Sequence, residues 1–170
     1  MQAGWAIIGA VLLVAQADPL PAPWKTHVAK EGGFVIAFPG TPAEAKQKIK
    51  SGGQDIDVRL LVLDAMEGTF VVGYSEAPGG GKIGDEEKRL DHARDGAVQS
   101  SGGKLQSEKR IAFDGYSGRE LLIVTDNANT LRIRIFAVRN KLFQVMTVGS
   151  RLFTASREAT TFLDSFKLAK

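Results

Sequence analysis

The chain contains no cysteine. That excludes disulfides, thiol catalysis and a lipid-modified cysteine. Histidine is almost as scarce, with only His27 and His92 available as neutral-pH bases. Charge of one sign is also lacking: 22 Lys+Arg stand against 19 Asp+Glu, a net +3 spread without any basic block. So weak a balance does not support nucleic-acid binding. Long apolar runs are missing except at the N-terminus, where residues 5–14, "WAIIGAVLLV", form one.

What is present begins with that run. It has the length of a signal-peptide core, and "AQAD" after it puts Ala15 and Ala17 in the small-x-small pattern that precedes a cleavage point. Residues 1–17 are expected to be an export signal, although no Lys or Arg precedes the core. The alternative is an uncleaved anchor, which the short run disfavours. The expected location is periplasmic or extracellular, with no stable membrane anchor once the signal is removed. Residues 18–23 carry three prolines and read as an extended lead-in to one domain over 24–170. Without disulfides, that domain must be held by its core, and about 150 residues suffice for one.

Periodicity then gives the elements. "KTHVAKEGGFVIAFPGTP" reads as two strands around Gly32-Gly33, with Phe34, Ile36 and Phe38 alternating toward a buried face. "AEAKQKIKSGGQDIDVRLLVLDA" is a second hairpin around 51–53. Its first arm is polar, as an edge strand should be, with lysines at 46, 48 and 50. A strand over 69–75 and the loop "GGGKIG" follow. Residues 85–101 form a helix with an acidic first turn, a thin apolar stripe of Leu90, Ala93, Ala97 and Val98, and a stop at Gly102-Gly103. A hairpin over 104–113 and 118–125 turns at Asp114-Gly115, and another over 130–138 and 142–149 turns at Asn140-Lys141. A closing helix spans 154–168 with Thr154 as its cap and Ala155, Ala159, Phe162, Leu163 and Phe166 along one side. The fold class is α+β, a mostly antiparallel sheet. "LLIV" at 121–124 is apolar on both faces, so helices are expected on both faces of the sheet, in an α/β/α sandwich.

"GGFVIAFPGTP" (32–42), a central helix after a loop, and "FLDSFKL" (162–168) after a hairpin resemble the PsbP-like superfamily. That superfamily includes the lumenal photosystem II subunit and a nuclear import factor that binds the Ran GTPase. The likeness runs over about residues 24–168, nearest to uncharacterised exported bacterial members. Its motifs are structural, so no functional residue transfers. The resemblance implies a partner-binding role rather than catalysis.

Each chemical motif fails at a defining position. "APGGGKIGDEE" (77–87) has Glu76 where a P-loop needs its first glycine, and Ile83 after the lysine. "GYSGR" (115–119) and "GYSEA" (73–77) approach a nucleophile elbow, but Arg119 and Ala77 replace the last glycine. "DHARD" (91–95) offers Asp91, His92 and Asp95, too few convergent ligands for a metal, and reads as a solvated helix face. No cofactor is expected. A serine hydrolase of the cell envelope using Ser75 or Ser117 with a histidine is the alternative to a non-catalytic accessory domain.

"TLRIRIFAV" (130–138) poses the remaining question. Leu131, Ile133, Ile135 and Ala137 face one way, and Arg132, Arg134, Phe136 and Val138 the other. The second face is polar early and apolar late, as if half covered by a helix. Either the arginines pair with carboxylates such as Glu108 or Glu120, or Arg132, Arg134 and Phe136 bind a small anion or an acidic protein surface.

Overall fold

The computed structural model describes residues 23–51, 54–77 and 85–169. The expected export signal, residues 18–22 of the lead-in, the Gly52-Gly53 turn and the "GGGKIG" loop lie outside them.

Strands β1 (Lys25–Ala29) and β2 (Phe34–Phe38) form the first hairpin, and β3 (Ala43–Ser51) with β4 (Gln54–Ala65) the second. Next come β5 (Gly68–Glu76) and helix α1 (Glu86–Ser101). Two further hairpins are β6 (Lys104–Phe113) with β7 (Tyr116–Val124), and β8 (Thr130–Val138) with β9 (Lys141–Gly149). Helices α2 (Arg151–Thr154) and α3 (Arg157–Asp164) and the short β10 (Lys167–Leu168) close the chain. A seven-stranded sheet runs β3-β4-β5-β9-β8-β7-β6, and a three-stranded sheet runs β1-β2-β10. All pairings are antiparallel. The polar β3 lies at an edge, where lysines discourage pairing with other chains.

Local chemistry accounts for the boundaries. Asp114 and Gly115 both take positive φ (47° and 82°), the backbone of a tight hairpin turn that matches strand twist. The β8–β9 turn falls one residue earlier than expected, with Arg139 at φ 53°. Lys141 is thereby free to pair with Val138 and to donate to the carbonyls of Glu31 and Gly32, each at 3.1 Å. α1 ends at Gly102 in the left-handed conformation.

The closing helix differs from expectation. It breaks in two because two serines compete as caps: Ser150 Oγ accepts from Phe153 N and Ser156 Oγ from Ala159 N. Thr154 is not a cap; its hydroxyl donates back to the carbonyls of Ser150 and Arg151. After Asp164 the chain leaves the helix, and Lys167 and Leu168 pair with Val35 and Phe34. Ser165 secures the exit, donating to the Phe162 carbonyl at 2.7 Å and accepting from Ala37 N at 3.0 Å.

The alternation of β8 separates two cores. Ile133, Ile135 and Ala137 pack with Leu121, Ile123 and Leu90 of α1. Phe136 and Val138 belong to a larger cluster with Phe34, Ile36 and Phe38 of β2, Phe70, Phe143, and Phe162, Leu163 and Phe166 from the closing segment. The second face is therefore not covered by helices alone. A three-stranded sheet lies there with the two short helices beside it, so the architecture is a mostly antiparallel sheet with few helices. The expected sandwich of helix layers is corrected to that extent, because β2 is apolar enough to be buried as a strand.

Candidate functional site

The residues singled out on β8 come together with one carboxylate. Glu120 on β7 stands opposite Arg134 in the register. Arg134 Nε donates to Glu120 Oε2 at 2.7 Å, and its Nη1 to Asp164 Oδ1 at 2.6 Å, joining the sheet to the end of α3. Arg132 shares Glu120 Oε2 at 3.4 Å and donates to Thr160 Oγ1 at 2.9 Å and to the Thr154 carbonyl at 3.5 Å. Burial pushes the Glu120 carboxyl up, but the Arg134 hydrogen bond and the two guanidinium charges outweigh it, so the group lies below the usual glutamate range. Burial likewise lowers Arg134, and its hydrogen bonds to Glu120 and Asp164 more than restore it, raising it above the ordinary arginine value.

Of the two carboxylates expected to neutralise this pair, Glu120 does so and Glu108 does not. Phe136 is 3% exposed. Its ring stacks on Phe166 at 5.6 Å and 9°, and Phe113 covers it at 4.7 Å. The face beside the arginines is thus filled by aromatic rings, and Phe136 presents no surface for a ligand.

A second cluster joins α1 to the sheet on the opposite face. Arg119, 5% exposed, is held by Glu87 Oε2 at 2.8 Å, by Asp91 Oδ1 at 2.6 Å and by Glu108. Arg94 reaches Asp91 at 3.2 Å, Asp95 at 2.8 Å and Glu108 at 3.3 Å. Burial would lower Arg119, but its bonds to Glu108 and Glu87 leave it raised. Asp91 and Arg94 of "DHARD" therefore make an ion-paired contact with the sheet rather than a wholly solvated face, while His92 and Asp95 are exposed residues. The signal available in the sequence was Arg119 itself, a charge between Gly118 and an apolar run, where a strand position needs a partner.

An open cleft of about 530 Å³ lies between β1 and the β3–β4 flank, lined by His27, Lys30, Glu44, Lys46, Arg59 and Tyr74 among others. Arg59 pairs there with Glu31, and burial pushes the Tyr74 phenol up. The catalytic alternative gains nothing from the geometry. Neither Ser75 nor Ser117 hydrogen-bonds a histidine among the described residues. The His27 ring packs edge-on against Phe38 at 6.3 Å, and His92 is exposed on α1. The glycines of "GYSGR" serve the hairpin: Gly115 makes its turn, and a Cβ on Gly118 would lie 2.7 Å from the Phe136 ring.

No protein-family model and no curated protein sequence matches the chain. A solved structure does: the solution structure of cyanobacterial PsbP (CyanoP) from Synechocystis sp. PCC 6803, with a TM-score of 0.60 over 92% of this chain and 98% of that one. The chain has a PsbP-like fold. At 18% identity the likeness to PsbP is one of architecture, extending over nearly the whole of both chains. No helix among the described residues is long and apolar enough to cross a membrane.

Proposed function

We propose that this PsbP-like chain is an exported accessory domain without catalytic activity that works by binding a protein partner. The observation that carries the reading is the match in fold to cyanobacterial PsbP, which spans both chains almost completely. Two features support it. The charged side chains that a ligand would be expected to use, Arg132, Arg134 and Arg119, are neutralised by carboxylates of the chain itself. The N-terminal apolar run with its small-x-small site suits export to the periplasm or beyond, with residues 1–17 removed and 24–170 as the working domain. Arg132 and Arg134 in this reading secure α3 to the sheet and do not bind a ligand.

The test uses the natural chain tagged at its C-terminus and recovered from the cell envelope after cross-linking. The accessory reading expects a defined protein in stoichiometric complex and a mass beginning at Asp18. It fails if the chain is recovered alone and hydrolyses esters or phosphates with turnover that a His92→Ala variant loses. A mass that begins at Met1 would remove the export signal and favour an anchor.

A further inference from the structure

β1 is an end strand of the three-stranded sheet, and no described strand pairs with its outer edge. The register identifies the backbone groups left over there. Ala37 stands opposite Thr26, yet its N–H donates the other way, to Ser165 Oγ at 3.0 Å. Gly33 likewise turns its carbonyl away from β1, accepting from Ala169 N at 2.9 Å. Hydrogen-bonded and non-hydrogen-bonded pairs alternate along an antiparallel ladder. Thr26–Ala37 and Val28–Val35 are therefore non-hydrogen-bonded pairs, and Thr26 and Val28 direct their N–H and C=O groups to the free edge. Val28 is also 54% exposed, a large apolar side chain left in solvent. An edge of this kind is a template for a further strand.

That edge borders the open cleft of about 530 Å³. Residues 27–31 form one wall, and residues 44–46 and 59–61 of β3 and β4 form the other. The facing wall carries a charge that the fold leaves unanswered. Along the β3–β4 ribbon Lys48 stands opposite Asp57 and Lys50 opposite Asp55, but Lys46 stands opposite Arg59. Like charges directly opposite each other are unfavourable. Glu31 pairs with Arg59, whereas Lys46, an exposed side chain, has no ion-pair partner among the described residues. The lining as a whole sets Lys30, Lys46 and Arg59 against Glu31 and Glu44, so the cleft is net cationic before His27 is counted.

We infer that the cleft takes an extended acidic segment of a protein partner, which adds to β1 as a further strand and sets a carboxylate beside Lys46. Main-chain bonds to Thr26 and Val28 supply affinity in this mode, and alternate side chains supply specificity. Paired strands lie about 4.7–4.9 Å apart, so the added chain enters the cleft itself. Side chains on one face of it point toward β3 and β4, where Lys46 and Arg59 stand, and those on the other face cover Val28. The longer edge of β3 is the poorer template, because its lysines guard it against strand addition. This inference rests on the accessory reading and names its partner's chemistry and its surface.

The test titrates the isotope-labelled chain with capped hexapeptides that alternate threonine with glutamate, glutamine or lysine, and with the glutamate peptide methylated at every backbone nitrogen. Amide shifts are expected at Thr26 and Val28 and along residues 44–46 and 59–61, with slowed hydrogen exchange at Thr26 and Val28. The glutamate peptide should bind about tenfold more tightly than the glutamine peptide, and Lys46→Gln should abolish that difference without lowering thermal stability. The methylated peptide, which cannot donate to the edge of β1, should not bind. Shifts confined to other surfaces, no shift with any peptide at about 1 mM, or a glutamate preference that survives Lys46→Gln would each overturn the proposal. Equal binding of the methylated peptide would also overturn it, leaving a cleft that attracts anions without adding a strand. So would the same amides shifting with protein concentration alone, which would make the occupant a second copy of the chain. Failure of every peptide while the envelope complex persists sinks this surface and leaves the accessory reading standing. Absence of any envelope partner sinks the accessory reading whatever the peptides do.

Discussion

Glu120 and Arg134 stand directly opposite each other in the β7–β8 register, with Arg134 Nε 2.7 Å from Glu120 Oε2. The carboxylate also takes Arg132, and Arg134 passes the contact on to Asp164 at the end of α3. One glutamate therefore neutralises two strand arginines and ties a helix to the sheet. That makes it the natural place to look for electrostatic dependence of the fold.

Acid should weaken this tie in a defined direction. The Glu120 carboxyl is lower in the folded chain than in the unfolded one. A depressed carboxyl contributes its full stability above the unfolded value of about 4.3 and loses it as pH falls through the folded value. Urea midpoints measured from about pH 6 down to about pH 3 should fall more steeply for the wild type than for Glu120→Gln. Parallel slopes would show that the carboxylate adds nothing to folding.

The two arginines should not be equivalent. Arg134 engages both Glu120 and Asp164 with short contacts, whereas Arg132 reaches Glu120 at 3.4 Å and otherwise meets neutral oxygens. Their side chains are about one-fifth exposed, so solvent screens them in part. Arg134→Gln is expected to lower stability by about 1–2 kcal/mol and Arg132→Gln by less, between the values typical of surface and buried pairs. Chemical denaturation of both variants checks the order. A double variant of normal stability that loses its envelope partner would instead give these arginines a binding role.

Phe166 lies at the centre of the aromatic core, with ring centroids of Phe34, Phe113, Phe136 and Phe143 between 5.3 and 5.6 Å away. Phe166→Ala should cost about 3–5 kcal/mol through lost contact and the cavity left behind. Differential scanning calorimetry measures it directly. A melting temperature unchanged from wild type would show that the closing segment is peripheral.

Gly118 is required for space rather than for flexibility. A Cβ there would stand 2.7 Å from the Phe136 ring and 2.8 Å from the Ile135 carbonyl oxygen, and backbone cannot yield as a flexible side chain can. Gly118→Ala is expected to destabilise by about 1–3 kcal/mol, the usual effect of overpacking. Gly96→Ala, on open helix surface with nothing within 4 Å, should be neutral or stabilising. Thermal melts of the two variants should move in opposite directions or differ clearly in size.

The local pattern of the sequence determined most of the elements. Alternation placed nine of the ten strands among the described residues, Gly32-Gly33 and Asp114-Gly115 marked two of their turns, and the acidic first turn with Gly102 bounded α1. These signals are legible because strand and helix periods depend only on near neighbours in the chain. Splitting the closing helix was within reach too, since Ser150 and Ser156 are both good caps, but the apolar spacing through Ala155 obscured the break. Two results came only from tertiary structure. Lys167–Leu168 became a strand because β2 offered it a free edge, a partner about 130 residues away. Glu108 and Glu120 went to opposite faces because the β6–β7 register, not their composition, decides which arginine each one meets. Which strand edge a closing segment meets, and which arginine a strand glutamate faces, depend on partners distant in the chain, and no local period carries that information.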